Sequence, residues 1–429
     1  MGKSVVVIGA GPMGLAAAYH AVKRGFDVDV LEAGDTVGGM AAHFDFNGVS
    51  IERFYHFCCL SDHDTFAVME DLGIGDKMRW VSTRMGYYVD GELHRWGDPV
   101  SLLMFPKLSL LAKIRYGLQV FTATRRSDWR TLDRLKATDW FLKWSGREAY
   151  DKMWKPLLDL KFYEFADQVS AAWMWQRIKR LGRSRKSLFE ERLGYIEGGS
   201  ETLMNALAKA IKEKGGRIHL MTPAQKFLIA DGQVTGVEAG GRAFAADQVI
   251  STAATPIVAQ LFPDDQYKLR DAYARIRNIG VICVLFRLKK PVTDNFWVNI
   301  SDKRFAIPGI VEFSNLRPVG GDSIVYVPFY MPITNPKFIA SDEALISESM
   351  ACLKALNPAL AERDVIATHV ARLRHAQPIY EPGFEAILPP VQTPIAGLQI
   401  ADTCYYYPED RGVSESLRFA KLMAERLNG

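Results

Sequence analysis

The sequence predicts an α/β fold in which a discontinuous Rossmann-like domain carries an inserted α+β substrate domain. Three observations predict it. Ser4 to Ile8 is a short apolar run suited to a buried parallel strand, Gly9-Ala10-Gly11-Pro12-Met13-Gly14 is a glycine turn, and Leu15 to Lys23 has helical spacing. A second apolar run, Val28 to Leu31, ends in Glu32-Ala33 about twenty residues beyond the turn, and Gly38-Gly39-Met40 follows it. Strand, turn and helix recur at Tyr195 to Ile211 and again at Gly397 to Ala420, so pieces of one architecture are spread over the chain.

The first segment has the chemistry of a dinucleotide site. The first glycine permits the tight turn, the second lets backbone N–H groups close on a pyrophosphate at the helix N-terminus, and the third lets helix and strand pack closely. Glu32 stands where a carboxylate accepts hydrogen bonds from an adenosine ribose. Gly9, Gly11, Pro12, Met13, Gly14, Glu32, Ala33, Gly38, Gly39 and Met40 are the candidate cofactor residues here.

Val5 to Glu32, followed by Gly38-Gly39, resembles the N-terminus of the FAD-dependent amine oxidase superfamily, which includes protoporphyrinogen oxidases, phytoene desaturases and, more distantly, UDP-galactopyranose mutases. The resemblance implies FAD rather than NAD, because in that group the glycine doublet makes a second approach to the pyrophosphate. Many members place Arg directly after the doublet, where this chain has Met40. The resemblance also implies that Thr222 to Gln225 lies along the adenine and that the turn after Thr252 passes the cofactor. Ala224 and Ala253 join the candidates on that ground, with small residues chosen for packing as the alternative. Near the C-terminus, Ala401-Asp402 resembles the closing Gly-Asp pair at the ribityl or pyrophosphate region, with glycine replaced by alanine. The helix starting at Val413 is then expected to aim its N-terminus at the flavin pyrimidine edge. There the N–H donors of Gly412, Val413 and Ser414, with roughly half a positive charge, stabilise negative charge on reduced flavin.

At 429 residues the chain exceeds what one hydrophobic core organises. Residues 1–90, 190–270 and 385–429 are expected to form the FAD-binding domain. Residues 91–189 are expected to be a basic helical insertion, and 271–384 the sheet-containing part of the substrate domain. Within the latter, Val281 to Leu288, Ile324 to Met331 and Val370 to His375 read as strands of a sheet roofing the flavin. Five scattered cysteines, with only Cys58 and Cys59 close, give neither metal-ligand spacing nor a disulfide framework, so no metal is expected. Nothing resembles a hydrolase triad or a nucleic-acid module. No uninterrupted apolar run reaches the roughly 18 residues of a spanning helix, which leads to the expectation of a cytoplasmic protein.

Charge is uneven. Between Lys107 and Arg192 there are twenty Lys and Arg against ten Asp and Glu, so this insertion holds a basic excess that the rest of the chain lacks. Ser101 to Phe121 is apolar but interrupted by Pro106, Lys107, Lys113 and Arg115, a pattern suited to lying peripherally in a membrane surface. An entrance that steers an anionic or lipid-linked substrate and a plain solvated surface are the alternatives.

Glu52 to Phe57 follows the doublet where the superfamily chain turns toward the flavin. Arg53, Tyr55 and His56 are therefore the candidate catalytic residues, with His56 suited to acid or base work near neutral pH. A His flanked by aromatics equally suits a hydrogen-bonded core position. Two activities remain open for a small-molecule substrate. One is an FAD-dependent oxidoreductase of oxidase or desaturase type, taking hydride to flavin N5 from a lipid or isoprenoid-like substrate. The other is a mutase-like flavin-dependent isomerase acting on a nucleotide or lipid-linked sugar. A binding module without turnover is a third.

Overall fold

The computed structural model describes residues 3–187 and 190–428. Its first sheet is wholly parallel, in the order Arg217–His219, Asp27–Leu31, Ser4–Ile8, Gln248–Ser251, Leu398–Ile400. Ser4–Ile8 is central, with Val6 beside Asp29 on one side and Val249 on the other. Val5, Val6 and Val7 are at most 1 % exposed, which explains why the run is continuously apolar: a parallel strand is covered on both faces. One cover is the helix Pro12–Lys23, which starts three residues before the expected Leu15 because Pro12 suits the first helical position. Packed on it are the helices Ser200–Glu213 and Val413–Glu425.

The second sheet has seven strands in the order Val365–Pro378, Asn278–Leu288, Ser323–Met331, Gly309–Glu312, Trp297–Ile300, Met85–Val89, Glu92–Trp96. All pairs are antiparallel except Trp297–Ile300 with Met85–Val89. Alternate residues of Asn278–Leu288 serve two cores. Ile282, Val284, Phe286 and Leu288 pack with Leu345, Met350 and Leu353 of the helix Asp342–Leu356. Cys283 and Leu285 pack instead with Phe46, Ile51 and Leu316, toward the interior of the molecule. This sheet lies over the segment Glu52–Phe57, since Tyr326 donates its hydroxyl to the carbonyl of Glu52 at 2.7 Å.

Residues 99–183 are mostly helical, with main helices at Pro99–Met104, Leu110–Arg125, Ala137–Trp144, Lys155–Phe162 and Ala171–Arg183. The division expected near residue 90 falls inside the hairpin of Met85–Val89 and Glu92–Trp96, whose two strands both belong to the seven-stranded sheet. All five cysteines are buried and unpaired. Among the described residues no helix is long and apolar enough to cross a membrane, and no cluster of His, Cys, Asp and Glu could hold a metal.

Candidate functional site

The glycine turn is pinned on several sides. Glu32 accepts from the Ala10 N–H at 2.7 Å and the Gly34 N–H at 2.8 Å, and Gly38 donates to the Ala10 carbonyl at 2.8 Å. These bonds bring Gly11 and Gly39 face to face: a Cβ built on Gly39 lies 3.1 Å from the Gly11 Cα. The two glycines thus form a bare backbone cradle. No side chain caps the adjoining helix, Pro12 has no N–H, and the N–H groups of Met13 and Gly14 have no acceptor among the described residues. A cradle with free donors fits a pyrophosphate. Ala33 is exposed beside Glu32, and Met40 lies half-buried in the turn Gly39–Ala41.

The adenine side is built by backbone. Thr222 donates to the Glu32 carbonyl at 2.7 Å and Met221 to that of Gly34 at 2.9 Å, which lays residues 219–224 against the ribose carboxylate. Ala224 opens the strand Ala224–Ala230 there, and the exposed, apolar Met221 sits at φ +52°. Ala253 follows the strand whose next residue, Thr252, donates its hydroxyl to the Ile8 carbonyl. With Glu32 so placed, Glu32→Ala is expected to weaken FAD binding about ten- to a hundredfold, the worth of a lost charge-assisted hydrogen bond. Titration of the apo-protein with FAD measures it; unchanged affinity in a folded variant would place the ribose elsewhere.

Asp402 is buried and occupied by the protein itself. Its carboxylate accepts from Thr255 N at 2.7 Å and Cys404 N at 2.8 Å, tying the helix Thr255–Leu261 to the C-terminal turn, and burial raises its pKa. Ten residues on, the helix Val413–Glu425 begins at Gly412 with no side-chain cap, Ser414 buried and Val413 on the wall of a cleft. Beside this N-terminus is the guanidinium of Arg180, itself paired to Asp62 at 3.1 Å. Glu415 occupies the helix's first turn with Oε2 unpartnered; burial, helped by Glu409 and Asp62 against the pull of Arg180, pushes its carboxyl up to about 7.

The cleft is also lined by His56, Phe57, Tyr195, Ile196 and Leu203. At its base is a buried ionic knot. Glu52, 1 % exposed, receives Arg317 Nη1 at 3.4 Å, His43 Nε2 at 3.3 Å and the Ser200 N–H at 3.0 Å. Burial alone raises the Glu52 pKa, but the His43 bond, Arg317 and Ser200 together outweigh it and hold the carboxyl at about 2.

Of the three catalytic candidates, His56 lies on the cleft wall. His56 has Nδ1 without a partner, and burial lowers its pKa. Tyr55 meets Trp297 and Tyr326 edge-on at 5.6 and 5.7 Å, and burial raises its pKa well above the usual value, which keeps it a neutral phenol. Arg53 makes no side-chain hydrogen bond among the described residues, and its charge is felt by His369 of the roof instead. Beyond Tyr55 lies Lys161, a residue no sequence pattern marked. Its Nζ sits 4.6 Å from the Tyr330 ring and 5.0 Å from that of Trp173, with no hydrogen-bond partner among the described residues. Burial, then Arg177 and Arg411, drive its pKa far below the usual lysine range, with Asp410 opposing. Arg411 bonds the Tyr330 hydroxyl at 2.8 Å and the Ala376 carbonyl.

Comparison with known proteins agrees with this geometry. The family model of flavin containing amine oxidoreductases matches residues 14–405. Zeta-carotene desaturase of Synechocystis is 24 % identical, over 92 % of this chain and 91 % of its own length. The chloroplastic/chromoplastic zeta-carotene desaturase of Arabidopsis thaliana is also 24 % identical, over 76 % of this chain, and the match spans 62 % of the plant protein. A putative protoporphyrinogen oxidase from Exiguobacterium superposes with a TM-score of 0.76 at 20 % identity, covering 99 % of this chain and 98 % of that one. The chain belongs to the flavin containing amine oxidoreductase family, whose members are FAD-dependent oxidoreductases.

Proposed function

We propose that the protein oxidises an apolar, lipid- or isoprenoid-like small molecule by hydride removal. One observation carries the reading: the arginines around the site are already engaged. Arg180, Arg317 and Arg177 are paired to Asp62, Glu52 and Asp410, and Arg411 is held by a carbonyl and a hydroxyl. Arg53 and Lys161 make no side-chain hydrogen bond or ion pair among the described residues, and burial holds the Lys161 pKa well below the usual lysine range. A diphosphate-bearing sugar needs unpaired cations to clamp it, whereas an apolar substrate needs the apolar and aromatic walls that Phe57, Tyr195, Ile196 and Leu203 supply in the cleft.

FAD, when bound, would supply the hydride acceptor. The residues of the chain would do the rest. Gly11, Met13, Gly14 and Gly39 would hold the pyrophosphate by backbone donors, Glu32 the ribose, and Val413 and Ser414 would present N–H groups where negative charge develops. When a carbon gives up hydride, the proton on its neighbour must also leave to form a double bond. His56, which lines the cleft with Nδ1 unpartnered and its pKa lowered by burial, is the base this chain offers for it.

Anaerobic addition of zeta-carotene in detergent to the yellow holoprotein is expected to bleach the flavin absorbance, and acid treatment to release the FAD intact. Bleaching by a primary amine with none by the polyene, or conversion of UDP-galactopyranose without net bleaching, would overturn the reading.

A further inference from the structure

The helix Leu110–Arg125 is built inside out. Leu110, Leu111, Ile114, Leu118 and Phe121, 51 to 66 % exposed, fall within about 100° of arc at 100° per residue. The inward face carries Ala112, Gln119 and Ala123. Gln119 is fully buried and takes up the hydroxyl of Ser145, so the polar group is inside and the large apolar ones are outside. The preceding helix, Pro99–Met104, adds Val100, Leu103 and Met104 at 54, 59 and 74 %, and Lys113 Nζ ties the two helices by donating to the Leu103 carbonyl at 2.7 Å. Eight large apolar side chains on two consecutive helices exceed the scatter of single exposed hydrophobics on an ordinary surface.

We propose that this face docks onto an anionic lipid bilayer, lying in its surface without crossing it. The charge around it selects that occupant. From Pro99 to Ser127 the sequence has five Lys and Arg and no Asp or Glu. Lys107 is held by Asp90 and Glu92, and Arg115 by the carbonyls of Trp144 and Lys143. Lys113, Arg125 and Arg126 have no carboxylate partner among the described residues, and the exposed Arg125 lies 3.5 Å over the Phe121 ring at the end of the apolar stripe. Cations bordering an apolar face match lipid phosphates above an acyl layer. They oppose a second copy of the chain, because a two-fold interface on this face brings the same cations together. Beneath the face Tyr116 stacks on Trp154 at 5.6 Å, which anchors the helix Leu110–Arg125 to the chain leading into the helix Lys155–Phe162. The docking stands without the proposed chemistry, since it rests on the surface alone.

Flotation of the FAD-loaded protein with phosphatidylcholine vesicles containing about 30 mol % phosphatidylserine, at low salt, tests it. The native protein is expected to float, and less so as salt rises. Leu111→Gln/Ile114→Gln/Leu118→Gln is expected to reduce the bound fraction at least about tenfold on vesicles with or without phosphatidylserine. Lys113→Gln/Arg125→Gln/Arg126→Gln is expected to reduce it only where phosphatidylserine is present. Unchanged FAD content and melting temperature confirm that both variants are folded, as the exposed positions require. Three results overturn the proposal: native protein that stays soluble beside anionic vesicles at low salt, an apolar variant that floats as well as the native chain, or a dimer in sedimentation that the leucine changes dissolve without any vesicle binding. Floating protein that does not oxidise zeta-carotene would instead count against the proposed substrate.

Discussion

Glu52→Ala is expected to destabilise the protein by about 3–5 kcal/mol, because it strands the Arg317 guanidinium in a site where both partners are almost fully buried. The buried His43 and the Ser200 N–H lose their acceptor at the same time. The pH dependence has a fixed sign. Glu52 has a folded-state pKa of about 2, below its usual 4.5, so its contribution is fully present above pH 4.5 and is lost as the pH falls toward 2. Integrated over that interval, the linkage is worth about 3 kcal/mol. Thermal unfolding of wild type between pH 6 and 3 is expected to show the larger part of this loss, about 2 kcal/mol, and Glu52→Ala to lack most of it. A variant that melts with the wild type at pH 7 would remove the knot from the list of features that hold the roof over the cleft.

Gly14→Ala is expected to yield protein almost free of FAD. A Cβ on Gly14 lies 1.8 Å from the Gly9 carbonyl oxygen, 2.9 Å from its carbon and 3.0 Å from Thr252 Oγ1. None of these can retreat: Gly9 is bonded to Leu31 and Thr252 Oγ1 to the Ile8 carbonyl, both at 2.8 Å. The helix Pro12–Lys23 must therefore back away from the sheet, at about 1–3 kcal/mol or more, and it carries one wall of the cradle with it. FAD affinity is expected to fall at least about a hundredfold. Gly25→Ala is the control: its φ of +85° costs strain of roughly 1–2 kcal/mol, but no atom lies within 4 Å of the new Cβ, so FAD occupancy is kept. Normal FAD content in a folded Gly14→Ala protein would contradict the cradle.

The dinucleotide segment was legible because its signals are local. Gly9, Gly11 and Gly14 are tied to one turn and Glu32 to the next strand, and both spacings survive unchanged into the structure. The roof strands were legible as apolar runs, although Val365–Pro378 begins five residues before the expected Val370, since its long partner Asn278–Leu288 supplies the ladder that less apolar residues need. Arg317, Arg180 and Lys161 were not legible. Each comes from a different element distant in the chain, and no local pattern separates a lysine that will be caged by Trp173 and Tyr330 from one bound for solvent. The helix Leu110–Arg125 shows the same limit. Its sequence suits a membrane surface, a substrate entrance or a plain solvated face alike, and only packing reveals that Gln119, not Leu111, is inside.

The order of the parallel sheet has a consequence for biosynthesis. Ser4–Ile8 is translated hundreds of residues before its neighbour Gln248–Ser251 and the edge strand Leu398–Ile400. The helix Val413–Glu425, which packs on Pro12–Lys23, follows both, and Arg24 donates to the Leu427 carbonyl just beyond it. The glycine turn of the nucleotide cradle is thus made long before the helix that closes the cradle. During that interval the nascent protein exposes the apolar surface of its central strand to chaperones and to aggregation, and cofactor capture waits on the helix Val413–Glu425.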